Sequence, residues 1–218
     1  MRTVFEEELQ RLFIDLTRLG NAANESLHKA IKAFNTRDRD LAHELFSDDL
    51  RINAATIDIE QDAFRVIVLQ QPVARDLRKV FTVLQASTDI ERIADHAVTI
   101  ARSTIKRDDD SESNEEIDQY INQMAEIISQ MINDALEAVS KHDSDAAREI
   151  AARDKEVNEL YRSILRSAAK LMEEHHESVN VGIGYLQIAG SLERMGDYAK
   201  NICERVVYLN TGTIIELG

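Results

Sequence analysis

The sequence predicts an all-α protein of six long helices, arranged as two tandem three-helix bundles of which the second duplicates the first. Three observations carry this expectation. Apolar residues recur at steps of three and four over long stretches, the period of one helix face. The 218-residue chain holds one proline and seven glycines, six of them at or after Gly182, so most of its length lacks the residues that tight hairpins require. Capping and acidic motifs of the first half also return in the second at nearly fixed offsets. With 44% apolar residues, the chain has the material for a sizeable core.

The first helix follows from the seam Phe5, Leu9, Leu12, Leu16, Leu19, Ala23, Leu27, Ala30 and Phe34, spaced for packing nearly parallel to its neighbours. Residues 35–40 form a polar break with capping side chains, and Leu41, Leu45, Ile52, Ile59 and the cluster to Leu69 mark the second helix. Pro72 disfavours helical geometry at Gln71 and suits the first turn of a third helix, continued by Val80, Phe81, Leu84, Ile90, Ile93, Ala97, Ile100 and Ile105. The stretch from Lys106 to Asp118 is too acidic and too poor in apolar residues to join a core, so it reads as a linker or a solvated helix start. Ile117, Ile121, Met124, Ile128, Met131, Ala135 and Ala138 then begin the pattern again, with a break at Asp143-Ser144-Asp145. The expected organisation is a first repeat over residues 1–106, a linker or helix start over 107–116, a second repeat over 117–210 and a tail over 211–218.

Superposing the halves tests the duplication. At an offset of 105, Asp38, Asp40, Ala42 and Glu44 fall on Asp143, Asp145, Ala147 and Glu149, and Asp49 and Asn53 fall on Asp154 and Asn158. At an offset of 102, Glu91-Arg92-x-x-Asp95-x-Ala97 falls on Glu193-Arg194-x-x-Asp197-x-Ala199. Shared leucines and alanines follow from any two amphipathic helices, but recurring charged motifs at matching depth do not.

Charge narrows the function. Forty acidic against twenty-six basic side chains leave −14, which repels a nucleic-acid backbone, so no nucleic-acid partner is expected. The longest aliphatic run, Val66-Ile67-Val68-Leu69, falls far short of the roughly 20 residues of a membrane span, so no membrane insertion is expected. The segment Met1–Glu8 is too acidic for a signal peptide, which places the expected location in the cytoplasm. The single cysteine, Cys203, reads as a core thiol.

The residues with chemistry to offer are carboxylates. Side chains four apart share a helix face, so Glu91 pairs with Asp95, Glu193 with Asp197, Asp49 with Asn53 and Asp154 with Asn158. If the second and third helices of each repeat pack together, each bundle presents three carboxylates and one amide. Such oxygen sets suit hard cations such as Mg²⁺, Mn²⁺ or ferric iron and give no reason to favour zinc or copper; the alternative is ordinary surface acids paired with Arg92, Arg194 or other bases. A ferritin-like di-metal oxidase or metal-storage protein is the competing expectation, through Glu25-x-x-His28 and Glu173-x-x-His176, but these motifs do not occupy matching places in the duplication. Phosphate-binding glycine loops and the nucleophile turn G-x-S-x-G are absent, and no catalytic residue is assigned. Arg65, Arg75, Arg78 and Lys79 gather around the Pro72 turn, either as a docking patch or, more simply, as salt-bridge partners.

The two signatures Asp89-Ile90-Glu91-Arg92-Ile93-Ala94-Asp95-His96-Ala97 and Ser191-Leu192-Glu193-Arg194-Met195-Gly196-Asp197-Tyr198-Ala199, with Gln71-Pro72-Val73-Ala74-Arg75-Asp76-Leu77-Arg78, resemble those of the PhoU family of phosphate-specific transport accessory proteins. The resemblance spans essentially the whole chain. It implies a PhoU-like, spectrin-like fold and a non-enzymatic negative regulator of phosphate uptake and of the phosphate-starvation response. The implied partners are the phosphate ABC-transporter ATPase subunit, met at the cytoplasmic membrane face, a sensor histidine kinase where present, and a second copy in a homodimer. It also implies divalent or trivalent metal, as iron or zinc clusters or as magnesium or manganese, with Glu91, Asp95, Glu193 and Asp197 as ligands and Asp49 and Asp154 next. Ser191 stands where the first signature has Asp89, so the two sites need not be equal.

Overall fold

The computed structural model describes residues 2–107 and 113–217 of the chain. Among these residues the regular structure is helical: α1 (Arg2–Thr36), α2 (Arg39–Gln70), α3 (Ala74–Lys106), α4 (Glu115–Lys141), α5 (Ser144–Ala152), α6 (Asp154–Glu174) and α7 (Val179–Thr211), with a 3-10 turn at His176–Ser178. Six rods are therefore present, as the periodicity predicts, but the fifth is broken into α5 and α6 at Arg153. There the amide of Arg153 donates to the Ile150 carbonyl at 3.1 Å, a bond one residue tighter than an α-helix makes. Its guanidinium reaches back to Asp134 Oδ2 on α4 at 2.8 Å.

The joint between the first two rods is built twice. Arg37 (φ 55°) and His142 (φ 54°) take the same left-handed conformation at helix ends. The next amide donates to the carbonyl five residues back at 3.0 Å, Asp38 to Ala33 and Asp143 to Ala138. Each aspartate then caps the following helix: Asp38 Oδ1 accepts from Leu41 N at 2.9 Å, and Asp143 Oδ1 from Ala146 N at 3.0 Å. The turn after α2 departs from expectation, because α3 begins at Ala74 rather than at Pro72 and Gln71 ends α2 in the left-handed region. The proline thus lies in the connection and not in the first helical turn. The linker expected over 107–116 falls largely on residues 108–112, which lie outside the described residues; α4 starts from the Asn114 cap, whose side chain accepts from Ile117 N.

The two repeats pack through like helices. Helices α3 and α7 run antiparallel, with Ser103 bonded to Gln187 at 3.1 Å near one end and Thr82 to the Arg205 carbonyl at 3.5 Å towards the other. Helices α1 and α4 do the same through Asn24–Asn133 (3.0 Å) and Asn35–Asn122 (2.7 Å). Because these contacts run between repeats as well as within them, Leu16, Leu27, Leu45, Ile90, Ile128 and Leu192 belong to one continuous buried cluster. Each such side chain contributes about 1.5–3 kcal/mol through removal from water. Cys203 lies in this cluster, and burial pushes its thiol up to about 12, so it is an inert core group as expected. After Gly212 the tail turns back, Ile215 and Leu217 pack against the core, and Leu217 N donates to Glu204 at 2.9 Å.

Candidate functional site

The apolar faces of α2 and α3 are turned towards each other, so the acids beside those faces meet along the seam. In the first repeat Asn53 Nδ2 donates to Asp49 Oδ2 at 3.3 Å on α2. Asp49 is held above its ordinary carboxyl value by burial and then by the charge of Asp95, against Arg102 and Asn53. Glu91 is raised by burial and by Asp95, with Asp49 and Glu60 adding and Arg92 opposing. The three carboxylates therefore share one field, although Asp95 itself is exposed.

The second repeat reproduces the set between α6 and α7. Asn158 Nδ2 donates to Asp154 Oδ2 at 2.9 Å, and burial followed by the charge of Asp197 raises Glu193. Asp154 is 7% exposed. A side chain at Gly196 would meet Val157 Cγ1 at 3.1 Å and Asp154 Oδ1 at 3.4 Å, so this glycine serves close approach of α6 to α7.

The PhoU domain family matches residues 16–104 and 121–206, once in each repeat. The chain belongs to the PhoU family. The phosphate-specific transport system accessory protein PhoU homolog of Streptococcus pneumoniae is 33% identical over 218 residues, 100% of both chains. That of Clostridium acetobutylicum is 36% identical over 218 residues, covering 100% of this chain and 99% of its own. Among solved structures, the phosphate transport system regulatory protein PhoU from Streptococcus pneumoniae matches with a TM-score of 0.92 at 32% identity, over 98% of this chain and 100% of that one. PhoU from Pseudomonas aeruginosa matches at 0.91 and 30%, over 96% and 100%.

In this PhoU chain α3 and α7 meet at His96 and Tyr198, which occupy equivalent positions in the two repeats and stack with ring centroids 5.8 Å apart. Burial lowers the His96 value, against the pull of Asp95. Nearer one end of the same interface Asp89 is 8% exposed, accepts from Asn201 at 3.5 Å and lies 3.8 Å from Arg205 Nε. Burial, partly offset by Arg205, raises it to about 6. The equivalent positions carry no charge: Ser191 stands for Asp89, and Ser103 stands for Arg205 and donates to Gln187.

Among the described residues no group of three or more His, Cys, Asp or Glu converges as a metal site, so no closed cage is preformed. In the first repeat, however, the buried oxygens Asp49 Oδ1 and Asn53 Oδ1 have no hydrogen-bond partner. Such oxygens fit a hard ion that keeps much of its water and takes only one or two direct protein contacts. The Glu-x-x-His motifs are not brought together into such a site: His28 is exposed with Nε2 2.9 Å from Ser129 Oγ, and His176 sits in the turn after α6. The basic cluster near Pro72 is partly spent in local pairs, Arg65–Asp62 at 2.6 Å and Lys79–Asp76 at 3.5 Å, while Arg78 donates to the Leu209 carbonyl.

Three features escape the sequence reading. Lys200, Asp89 with Arg205, and the His96–Tyr198 stack all take their meaning from partners on other helices. For Lys200 a signal does exist: at the offset of 102 it falls on Val98, so a lysine stands beside one signature and a valine beside the other.

Proposed function

We propose that the protein is a non-enzymatic accessory regulator of phosphate uptake that represses transport and the phosphate-starvation response when phosphate is plentiful. It acts by docking on the ATPase subunit of the phosphate transporter at the membrane surface, and on the sensor histidine kinase where one is present. Support comes from its full-length similarity to accessory proteins of that transport system. No described helix is long and apolar enough to cross a membrane, which accords with an accessory role at its surface.

The single observation that carries the docking reading is the outer face of α2. Leu50 (70% exposed), Ile57 (52%), Phe64 (56%) and Val68 (70%) fall on one line along the helix, in a chain whose net charge is −14. Apolar side chains aligned on solvent mark a protein-contact surface rather than a catalytic one. Asp49, Asn53, Glu91 and Asp95 would hold a hard cation such as Mg²⁺ or Mn²⁺ near this helix, and Asp154, Asn158, Glu193 and Asp197 form the matching set. When bound, such an ion supplies positive charge that the acids of the set lack. Regulation then requires that the ligand-bound and ligand-free forms differ in affinity for the partner.

The test has two arms. Deleting the protein is expected to raise phosphate uptake in phosphate-rich medium, and Phe64→Glu, at an exposed position, is expected to abolish co-purification with the transporter ATPase while helical content stays unchanged. Unaltered uptake in the deletion strain would refute the role; unaltered co-purification of the variant would refute the surface.

A further inference from the structure

We infer that the second repeat carries its own cation, the Lys200 ammonium, and that this side chain closes the second carboxylate set to metal, so that any hard cation is taken up by the first repeat alone. Lys200 Nζ lies 3.0 Å from Asp154 Oδ2 and 3.3 Å from Asp197 Oδ1, bridging the two helices that carry the set. The lysine side chain is 20% exposed and that of Asp154 10%, so water screens this pair less than a surface one. Two further side chains act on the same set, one cationic and one a neutral amide. Arg194 lies 3.6 Å from Asp197 and 3.7 Å from Glu193, and Asn158 donates to the same Asp154 oxygen that receives Lys200.

The first repeat has no such arrangement. The residue equivalent to Lys200 is Val98, which is 5% exposed. Arg92 and Arg102 act on Glu91 and Asp49 only through space, and Arg102 lies over the Phe46 ring at 5.7 Å. Among the described residues no ion pair reaches Asp49, Glu91 or Asp95, and two buried oxygens there lack partners. One buried oxygen, Asp154 Oδ1, is also unpartnered in the second repeat, where it lies so near Gly196 that an added Cβ would come within 3.4 Å of it, while the other oxygen of the same carboxylate is taken by Lys200 and Asn158. A divalent ion arriving there would have to displace an ammonium already paired with two of the three carboxylates, or sit beside it against like-charge repulsion. The duplicated acids thus serve two ends: a cation site in one repeat and an internal ion pair in the other.

The preference for the first repeat rests on the proposed cation site there; the closure of the second by Lys200 does not. Equilibrium dialysis of the full chain against Mn²⁺ separates them. For the unaltered protein, Asp95→Asn is expected to remove the bound Mn²⁺ and Asp197→Asn to leave it. Lys200→Val, which copies the first repeat, is expected to add a second class of bound Mn²⁺ that Asp197→Asn then removes, and Mn²⁺ is expected to raise the melting temperature of Lys200→Val more than that of the unaltered chain. If the valine variant misfolds, Lys200→Gln, which keeps the polarity and volume but not the charge, is read in the same way. New Mn²⁺ in the Lys200 variants without any in the unaltered chain would sustain the closure while removing the first-repeat site. Lys200 variants with no added Mn²⁺, or unaltered protein that loses Mn²⁺ equally through Asp197→Asn, would overturn the inference.

Discussion

Asp89 shows how much a single side chain adds at an interface between repeats. Its carboxyl is raised to about 6 in the folded chain, against an ordinary value of 3.8. The folded state therefore holds a proton that the unfolded chain has released between those two values, and this contribution to stability is full below the lower one and lost as pH rises through the upper. A shift of this size corresponds to on the order of 3 kcal/mol. Replacing Asp89 with Asn removes the titration. Relative to the unaltered protein, the variant should gain stability on going from pH 4 to pH 7.5 in urea unfolding, by up to about 3 kcal/mol. A constant difference between the two proteins across that range would mean that Asp89 does not titrate in the fold. The shift itself was not legible, because it comes from burial against α7, a helix far along the chain whose Arg205 and Asn201 offset it only in part; the substitution of Ser191 for Asp89 in the second signature was the visible hint.

At the scale of elements, the duplication is physical as well as textual. The turn between the first two rods recurs with the same backbone sign, the same backbone bond and the same capping aspartate. Asp38→Ala and Asp143→Ala should each cost about 1 kcal/mol, the usual value of an N-cap, measurable by chemical unfolding. Asp143 accepts from both Asp145 N and Ala146 N, so its loss should be at least as large as that at Asp38. A neutral result at both positions would show that tertiary packing alone holds these helix starts. The repeats also share an ion pair between the first two rods with its polarity reversed, Lys29–Asp48 at 2.7 Å in one and Asp134–Arg153 at 2.8 Å in the other. In the first repeat the hydrogen bonds from Lys29 and Arg51 outweigh burial and hold Asp48 below its ordinary value. Helical periodicity announced the rods, yet the break at Arg153 was invisible, since the apolar seam runs through it without interruption.

For the whole molecule the decisive fact is the continuity of the core. Helices α3 and α7, and α1 and α4, join the two bundles along their lengths, so neither repeat has a complete buried face without the other. Heat or urea should therefore unfold the chain in one cooperative transition, with calorimetric and van't Hoff enthalpies in agreement. Two separated transitions would mean that the bundles are independent domains. The same geometry sets the expected asymmetry of function: the repeats have kindred carboxylates, but a cation from the chain itself meets only one of the sets directly.

The amino-acid sequence by itself determined the class of the fold, the number of rods, the duplication and the identity of the paired acids. Those properties follow from the fixed rise and turn of a helix, which convert spacing along the chain directly into a shared face. What only the tertiary structure decided is which cation each acid meets and which oxygens go without a partner. Those depend on the rotation and closeness of helices distant in sequence, set by how the whole core packs, and no local spacing records them.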